Sequence, residues 1–224
     1  MTTTPAGMHL MLEGTGRPIV LTHGFADDSS TFDRLFPVLS GYRLARWDLP
    51  GHGSSDVGPQ PASRGTALAW LDAAVAAAGP GPAVLVGHSL GGYLSLCRTV
   101  LDATGIAGLV LVSTGPGFRD PAKRERWSAF MGDYAERHGI PAEARGIAEQ
   151  PDSLVLDRLA EVPVPVLVIV GGDDVRYHAG CRIIVDEVPD GELVVVDGAG
   201  HFPHQTHADL VGGHVRELLG RISG

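Results

Sequence analysis

The chain has 224 residues, 44% of them hydrophobic and 19% charged, which is the make-up of a globular domain with room for one substantial core. Its formal charge of −9 argues against a nucleic-acid partner or an anionic membrane surface. Two isolated cysteines, Cys97 and Cys181, no signal-peptide pattern in residues 1–5 and apolar runs no longer than a strand together imply a cytoplasmic protein without a membrane span.

Residues 8–13 read as a short edge strand, and residues 18–22 as a continuous apolar strand of the buried, parallel kind that ends at His23-Gly24-Phe25. A helix is expected over 29–39, capped by Ser29 or Ser30, with Phe32, Leu35 and Phe36 on one face. Residues 42–47 form the next strand and run into the loop Asp48-Leu49-Pro50-Gly51-His52-Gly53-Ser54-Ser55. The Ala-rich segment 62–78 carries Leu68, Leu71 and Val75 at helical spacing and stops at Gly79-Pro80-Gly81-Pro82.

The apolar run 84–86 then leads into Gly87-His88-Ser89-Leu90-Gly91-Gly92, after which Leu94, Leu96, Val100 and Leu101 mark a helix. Strand, sharp turn, serine and helix form the context in which G-x-S-x-G carries chemistry, because small flanking residues let strand and helix approach closely enough to strain the serine backbone. Residues 106–112 are another buried strand. The block 113–161 breaks the rhythm: it is charged and helical, it is divided by Pro121, Pro141 and Pro151, and Trp127, Phe130, Met131 and Tyr134 recur along it. Lys123-Arg124-Glu125-Arg126 within it is a solvated helix face. A strand over 164–170 ends at Gly171-Gly172-Asp173-Asp174, a helix covers about 179–187, a strand 192–196 leads to Gly198-Ala199-Gly200-His201-Phe202, and a helix over 207–219 closes the chain. Alternating strands and helices imply an α/β, doubly wound, mostly parallel sheet flanked by helices, with reactive groups gathered beyond the C-terminal strand ends.

A serine hydroxyl is a weak nucleophile until a base within hydrogen-bond reach takes its proton and an acceptor orients that base. His201, in the Gly-rich loop after the last strand, is the candidate base, with His204 and His207 as local rivals. Asp174 is the candidate acid, and Asp173 competes with it; a helix N-cap is the plain alternative for either. The backbone N–H groups of Phe25 and Leu90 are candidate donors to a developing oxyanion. The three histidines at 201, 204 and 207 also suggest a metal site, but no carboxylate sits at ligand spacing and a helix start explains His207, so none is expected.

Four motifs, in order, make the chain resemble the α/β-hydrolase superfamily over essentially its whole length: His23-Gly24-Phe25; Asp48 to Ser55; Gly87 to Gly92; and Gly171 to Asp174 with Gly200-His201-Phe202. The resemblance implies a single domain over 1–224 with a short helical lid over about 114–161. It favours Asp174, three residues after the strand-ending glycine, as the acid, and it implies the serine branch with no cofactor. Relatives commonly open with two antiparallel strands, whereas this chain has residues for about one. The reaction implied is hydrolysis of a small or medium carboxylic ester, lactone or thioester through an acyl-enzyme on Ser89. A carbon–carbon bond hydrolase, perhydrolase, lyase or slow-turnover, receptor-like binder on the same scaffold is the alternative. His23, His88, Trp127, Phe130, Tyr134 and Phe202 are candidate pocket residues around a small-molecule acyl substrate, in a monomer or small homo-oligomer.

Overall fold

A computed structural model describes residues 4–58 and 61–223, so residues 1–3 of the segment read above for a targeting signal lie outside the described residues. The chain runs through strands β1 (Leu10–Glu13), β2 (Pro18–Thr22) and β3 (Arg43–Trp47), helix α1 (Arg64–Ala78), β4 (Ala83–His88), α2 (Leu90–Leu101) and β5 (Ile106–Val112). Helices α3 (Pro121–Arg137) and α4 (Leu154–Arg158) follow, and then β6 (Val166–Gly171), α5 (Val175–Glu187), β7 (Gly191–Val196), α6 (Pro203–Thr206) and α7 (Ala208–Ser223). One seven-stranded sheet has the order β1-β3-β2-β4-β5-β6-β7, with β1 antiparallel to β3 and every other pairing parallel.

Period-two alternation in the strands splits the core into two layers. On one face Val20, Leu85, Leu111 and Val168 pack with Trp70 and Leu71 of α1, Leu94 of α2 and Ile184 of α5. On the other, Ile19, Leu21, Val86, Val110 and Ile169 pack with Phe32, Leu35, Val211 and Leu218. Each fully buried aliphatic side chain is worth roughly 1.5–3 kcal/mol, which makes the central strands the rigid platform from which the loops project. Among the described residues no helix is long and apolar enough to cross a membrane.

The structure departs from the periodicity at four places. The helix expected over 29–39 is two short 3-10 turns, Ser29–Phe32 and Pro37–Leu39. Pro37 lacks the N–H that an α-helical ladder needs in mid-run, and the cap is the Asp28 side chain, which accepts from the Ser30 N–H. Helix α1 begins at Arg64 rather than 62, because Ser63 and Thr66 form a reciprocal capping box. Helix α5 starts at Val175, four residues earlier than expected. The closing helix splits at His207 into α6 and α7.

Residues 114–161 leave the sheet after β5 and return before β6. Their attachment to the body includes the Arg64 guanidinium, which donates to both carboxylate oxygens of Asp152 at 2.8 and 2.7 Å and also to the Tyr93 hydroxyl at 3.3 Å. This two-pronged pair is the stronger form of a charged contact.

Candidate active site

Ser89 joins β4 to α2 with φ 49° and ψ −112°, a left-handed conformation that costs a non-glycine residue of order 1–3 kcal/mol. Three hydrogen bonds hold it there: its N–H donates to Val112 O at 2.8 Å, and its carbonyl accepts from Tyr93 N at 3.1 Å and Thr114 Oγ1 at 2.6 Å. The close approach of strand and helix explains the flanking glycines. A Cβ on Gly87 would lie 2.4 Å from the Gly91 carbonyl carbon, and one on Gly91 would lie 2.1 Å from the Thr22 carbonyl oxygen.

His201 follows β7, and its Nδ1 lies 2.8 Å from Asp174 Oδ2. Asp174 occupies the N-cap position of α5, yet its side chain makes no capping bond, because the carboxylate is turned to the imidazole instead. Asp173 is exposed, and its backbone N–H is tied to Ala199 O at 2.9 Å. Neither rival histidine lines the cavity that holds Ser89 and His201. His204 is buried with Nε2 3.0 Å from Thr31 Oγ1, and His207 Nδ1 lies 2.9 Å from Thr206 Oγ1. Among the described residues no group of His, Cys, Asp and Glu is arranged to hold a metal ion.

His88 stands behind His201. Its Nε2 donates to the His201 carbonyl at 2.9 Å, and its ring packs 4.8 Å from the rings of His201 and Phe202. Burial, with His204 and His201 nearby, holds its pKa well below 6.5, so it stays neutral. Its Nδ1 and the nearby Asp27 Oδ2, 4.0 Å apart, both lack hydrogen-bond partners among the described residues.

Phe25 and Leu90 line the same cavity, and neither of their backbone N–H groups has a hydrogen-bond partner among the described residues. Unsatisfied amides at a loop and at a helix N-terminus are what a developing negative charge requires. Gly24 brings its loop against the elbow: a Cβ there would lie 2.9 Å from His88 Nδ1 and 3.2 Å from Ser89 Cβ.

His23 is not a pocket residue. It is fully buried, its Nδ1 donates to Gly24 O at 2.6 Å and its Nε2 accepts from Leu49 N–H at 2.9 Å. Burial, aided by His52, lowers its pKa to about 4, so the neutral ring pins the Gly24 loop to the one that follows β3. Asp48 organises that second loop, accepting from Ser29 N at 2.8 Å and Ser54 N at 2.9 Å, with His9 Nδ1 also 2.8 Å away. Burial alone would raise its pKa, but these hydrogen bonds outweigh burial and hold it below the usual carboxylate value.

The cavity has a volume of about 890 Å³. Ser89, Asp174, His201 and Phe202 line it, and so do the apolar or aromatic side chains of Trp127, Phe130, Met131 and Tyr134 of α3 and of Leu156 and Ile183. The rings of Trp127, Phe130 and Tyr134 succeed one another at centroid distances of 5.8 and 6.2 Å. The sequence reading missed Tyr177, which also lines the cavity and stacks on His201 at 4.7 Å. Its signal was the i, i+3 spacing from Asp174, which places two residues on one helix face.

A family model described as "Alpha/beta hydrolase family" matches residues 19–212. A pimeloyl-(acyl-carrier protein) methyl ester esterase of Xanthomonas campestris pv. campestris is 29% identical, across 91% of this chain and 95% of that protein. Among solved structures, a thermophilic esterase from Thermogutta terrifontis superposes with a TM-score of 0.81 at 26% identity, covering 99% of this chain and 97% of that one. The enol-lactonase from Burkholderia xenovorans LB400 superposes with a TM-score of 0.79 at 20% identity, covering 95% and 96%.

Proposed function

Because the chain belongs to the alpha/beta hydrolase family, we propose that it hydrolyses carboxylic esters through an acyl-enzyme on Ser89, with His201 as base and Asp174 as the group that orients it. The observation that carries this reading is the Asp174–His201 pair at 2.8 Å on the cavity that also holds the strained Ser89. His201 Nε2 takes the Ser89 proton as Oγ attacks the substrate carbonyl carbon. The N–H groups of Phe25 and Leu90 receive the oxyanion, a contribution of roughly 3 kcal/mol per donor to the barrier. Collapse of the intermediate expels the alcohol, which takes the proton from His201. Water, deprotonated by the same histidine, then releases the acid and frees Ser89.

The cavity supports an acyl group of medium length lying along the Trp127–Phe130–Tyr134 wall, and Phe202 and His88 frame the end nearest Ser89. The relative named a methyl ester esterase supports a small alcohol as leaving group. The two buried, unbridged cysteines support a cytoplasmic location. A panel of p-nitrophenyl esters, lactones and thioesters of increasing acyl length, assayed on wild type and Ser89→Ala, tests the reading. Ester turnover that vanishes in the variant is expected; turnover that survives it contradicts the assignment.

A further inference from the structure

Gln150 is a buried polar side chain with no task in the scheme above. It is 7% exposed, it lines the cavity that holds Ser89, and its amide makes no hydrogen bond among the described residues. An unpaired buried amide is a standing cost to the fold, which a methionine of similar shape would avoid. The position is firmly held. Two residues on, the Asp152 carboxylate takes both prongs of the Arg64 guanidinium, which also reaches the Tyr93 hydroxyl at 3.3 Å. Tyr93 stands one helical turn after Ser89 and donates its backbone N–H to Ser89 O at 3.1 Å. Gly117 completes the group: a Cβ there would lie 3.0 Å from Gln150 Oε1 and 3.4 Å from Tyr93 Cε2. Tyr93, Gly117 and Gln150 thus form one patch of the cavity lining, beside the turn of α2 that follows Ser89. Trp127 supplies a second buried polar group on the same cavity. Its Nε1–H has no hydrogen-bond partner among the described residues, and its ring lies 5.9 Å from that of Phe118, the residue after Gly117.

We propose, resting on the acyl-enzyme reading of Ser89, that Gln150 is a specificity-determining residue: its amide hydrogen-bonds a hydroxyl group on the acyl chain, so that the substrates are hydroxyacyl esters rather than plain fatty esters. Oε1 is an acceptor, so its partner must donate. A hydroxyl donates to Oε1 and can still accept from the Gln150 amide N–H or the Trp127 indole N–H. An oxo group or an ether oxygen only accepts and leaves Oε1 unpaired. A carboxylate brings a charge that a neutral amide does not balance. The last torsion of a glutamine side chain is broad, so the amide can turn toward a bound chain without leaving its rotamer.

The test uses methyl octanoate, its derivatives hydroxylated near the carbonyl, in mid-chain and at the far end, and the matching methoxy derivatives. Each is assayed on wild type, Gln150→Met and Ser89→Ala. For at least one hydroxy isomer, wild-type kcat/KM is expected to exceed that of methyl octanoate about tenfold or more, the scale of one hydrogen bond to an otherwise unpaired group. The methoxy counterpart keeps the oxygen and loses the proton, and it should fall back to within about twofold of octanoate. Gln150→Met should bring the preferred hydroxy isomer down to the octanoate level and leave octanoate itself unchanged or faster. Wild type that favours no hydroxy isomer overturns the proposal, as does a methoxy isomer that matches its hydroxy partner; both results are read without any variant. Retained preference in Gln150→Met overturns it too, and equal losses on octanoate and the hydroxy isomer overturn it by showing that the amide serves only the fold. Residual turnover by Ser89→Ala is a separate failure, that of the acyl-enzyme reading itself.

Discussion

Asp174 sits where a helix cap belongs and gives its carboxylate to His201 Nδ1 instead, at 2.8 Å, while its neighbour Asp173 faces solvent. Two adjacent carboxylates thus have separate surroundings, and substitution should tell them apart. Asp174→Asn puts an amide N–H donor or a neutral acceptor against the imidazole, so turnover should fall by about 10³ to 10⁴-fold. Asp173→Asn should change it less than about twofold, since most exposed substitutions are nearly neutral. Comparable losses in steady-state ester hydrolysis would reassign the acid.

The buried histidines set the acid limit of the fold. Burial lowers the pKa of His23 to about 4 and that of His204 to about 3, and holds His88 well below 6.5. In each case the unfolded chain takes up a proton before the folded one does. Their contribution is complete above about pH 6.5 and is lost as pH falls toward the folded values. The carboxyl of Asp27, raised by burial, acts in the opposite sense near pH 4. The unfolding temperature should drop by more than about 10 °C between pH 7 and 4.5. His204→Gln should flatten that slope; an unchanged slope in calorimetry would show that His204 is not a neutral, buried group.

Backbone strain at Ser89 predicts a separation of stability from activity. Ser89→Gly relieves the positive φ, whereas Ser89→Ala keeps it. Both should be inactive on esters, and Ser89→Gly should unfold at a free energy about 1 kcal/mol above Ser89→Ala. Equal stabilities in urea titration would argue that the elbow is unstrained. Gly91→Ala, with its Cβ 2.1 Å from Thr22 O, has no such relief and should destabilise by about 3 kcal/mol or more.

The aromatic wall predicts chain-length selectivity. Trp127→Ala should raise KM several-fold for octanoate esters and leave acetate esters unchanged, because only a longer acyl group reaches α3. Equal changes across the series would place the acyl group elsewhere.

What the sequence revealed of all this follows the physics of each segment. Buried parallel strands are continuous apolar runs, and the loops after Thr22, Val86 and Val196 were visible as their ends. Ser89 and His201 stand in those loops, where glycine spacing exposes a close-packed turn. Periodicity failed where polar residues open an element: α5 begins Val175-Arg176-Tyr177-His178, with no apolar stripe in its first turn, so Tyr177 was not seen on the helix that presents it to His201. It failed again at 29–39, where Pro37 and the Asp28 cap produce two short turns from an amphipathic pattern. His23 carries no local mark of burial. Its pairing with Leu49 joins loops 26 residues apart, a tertiary fact that no window of sequence contains.

The central claim is that Ser89 becomes acylated. Mixing the enzyme with p-nitrophenyl butyrate, quenching in acid within the first turnover and mapping the peptides by mass spectrometry tests it directly. A butyryl adduct on Ser89 of the wild-type enzyme, absent from Ser89→Ala, is the predicted result. An adduct on another residue, or ester turnover by Ser89→Ala at the wild-type rate, would contradict the account.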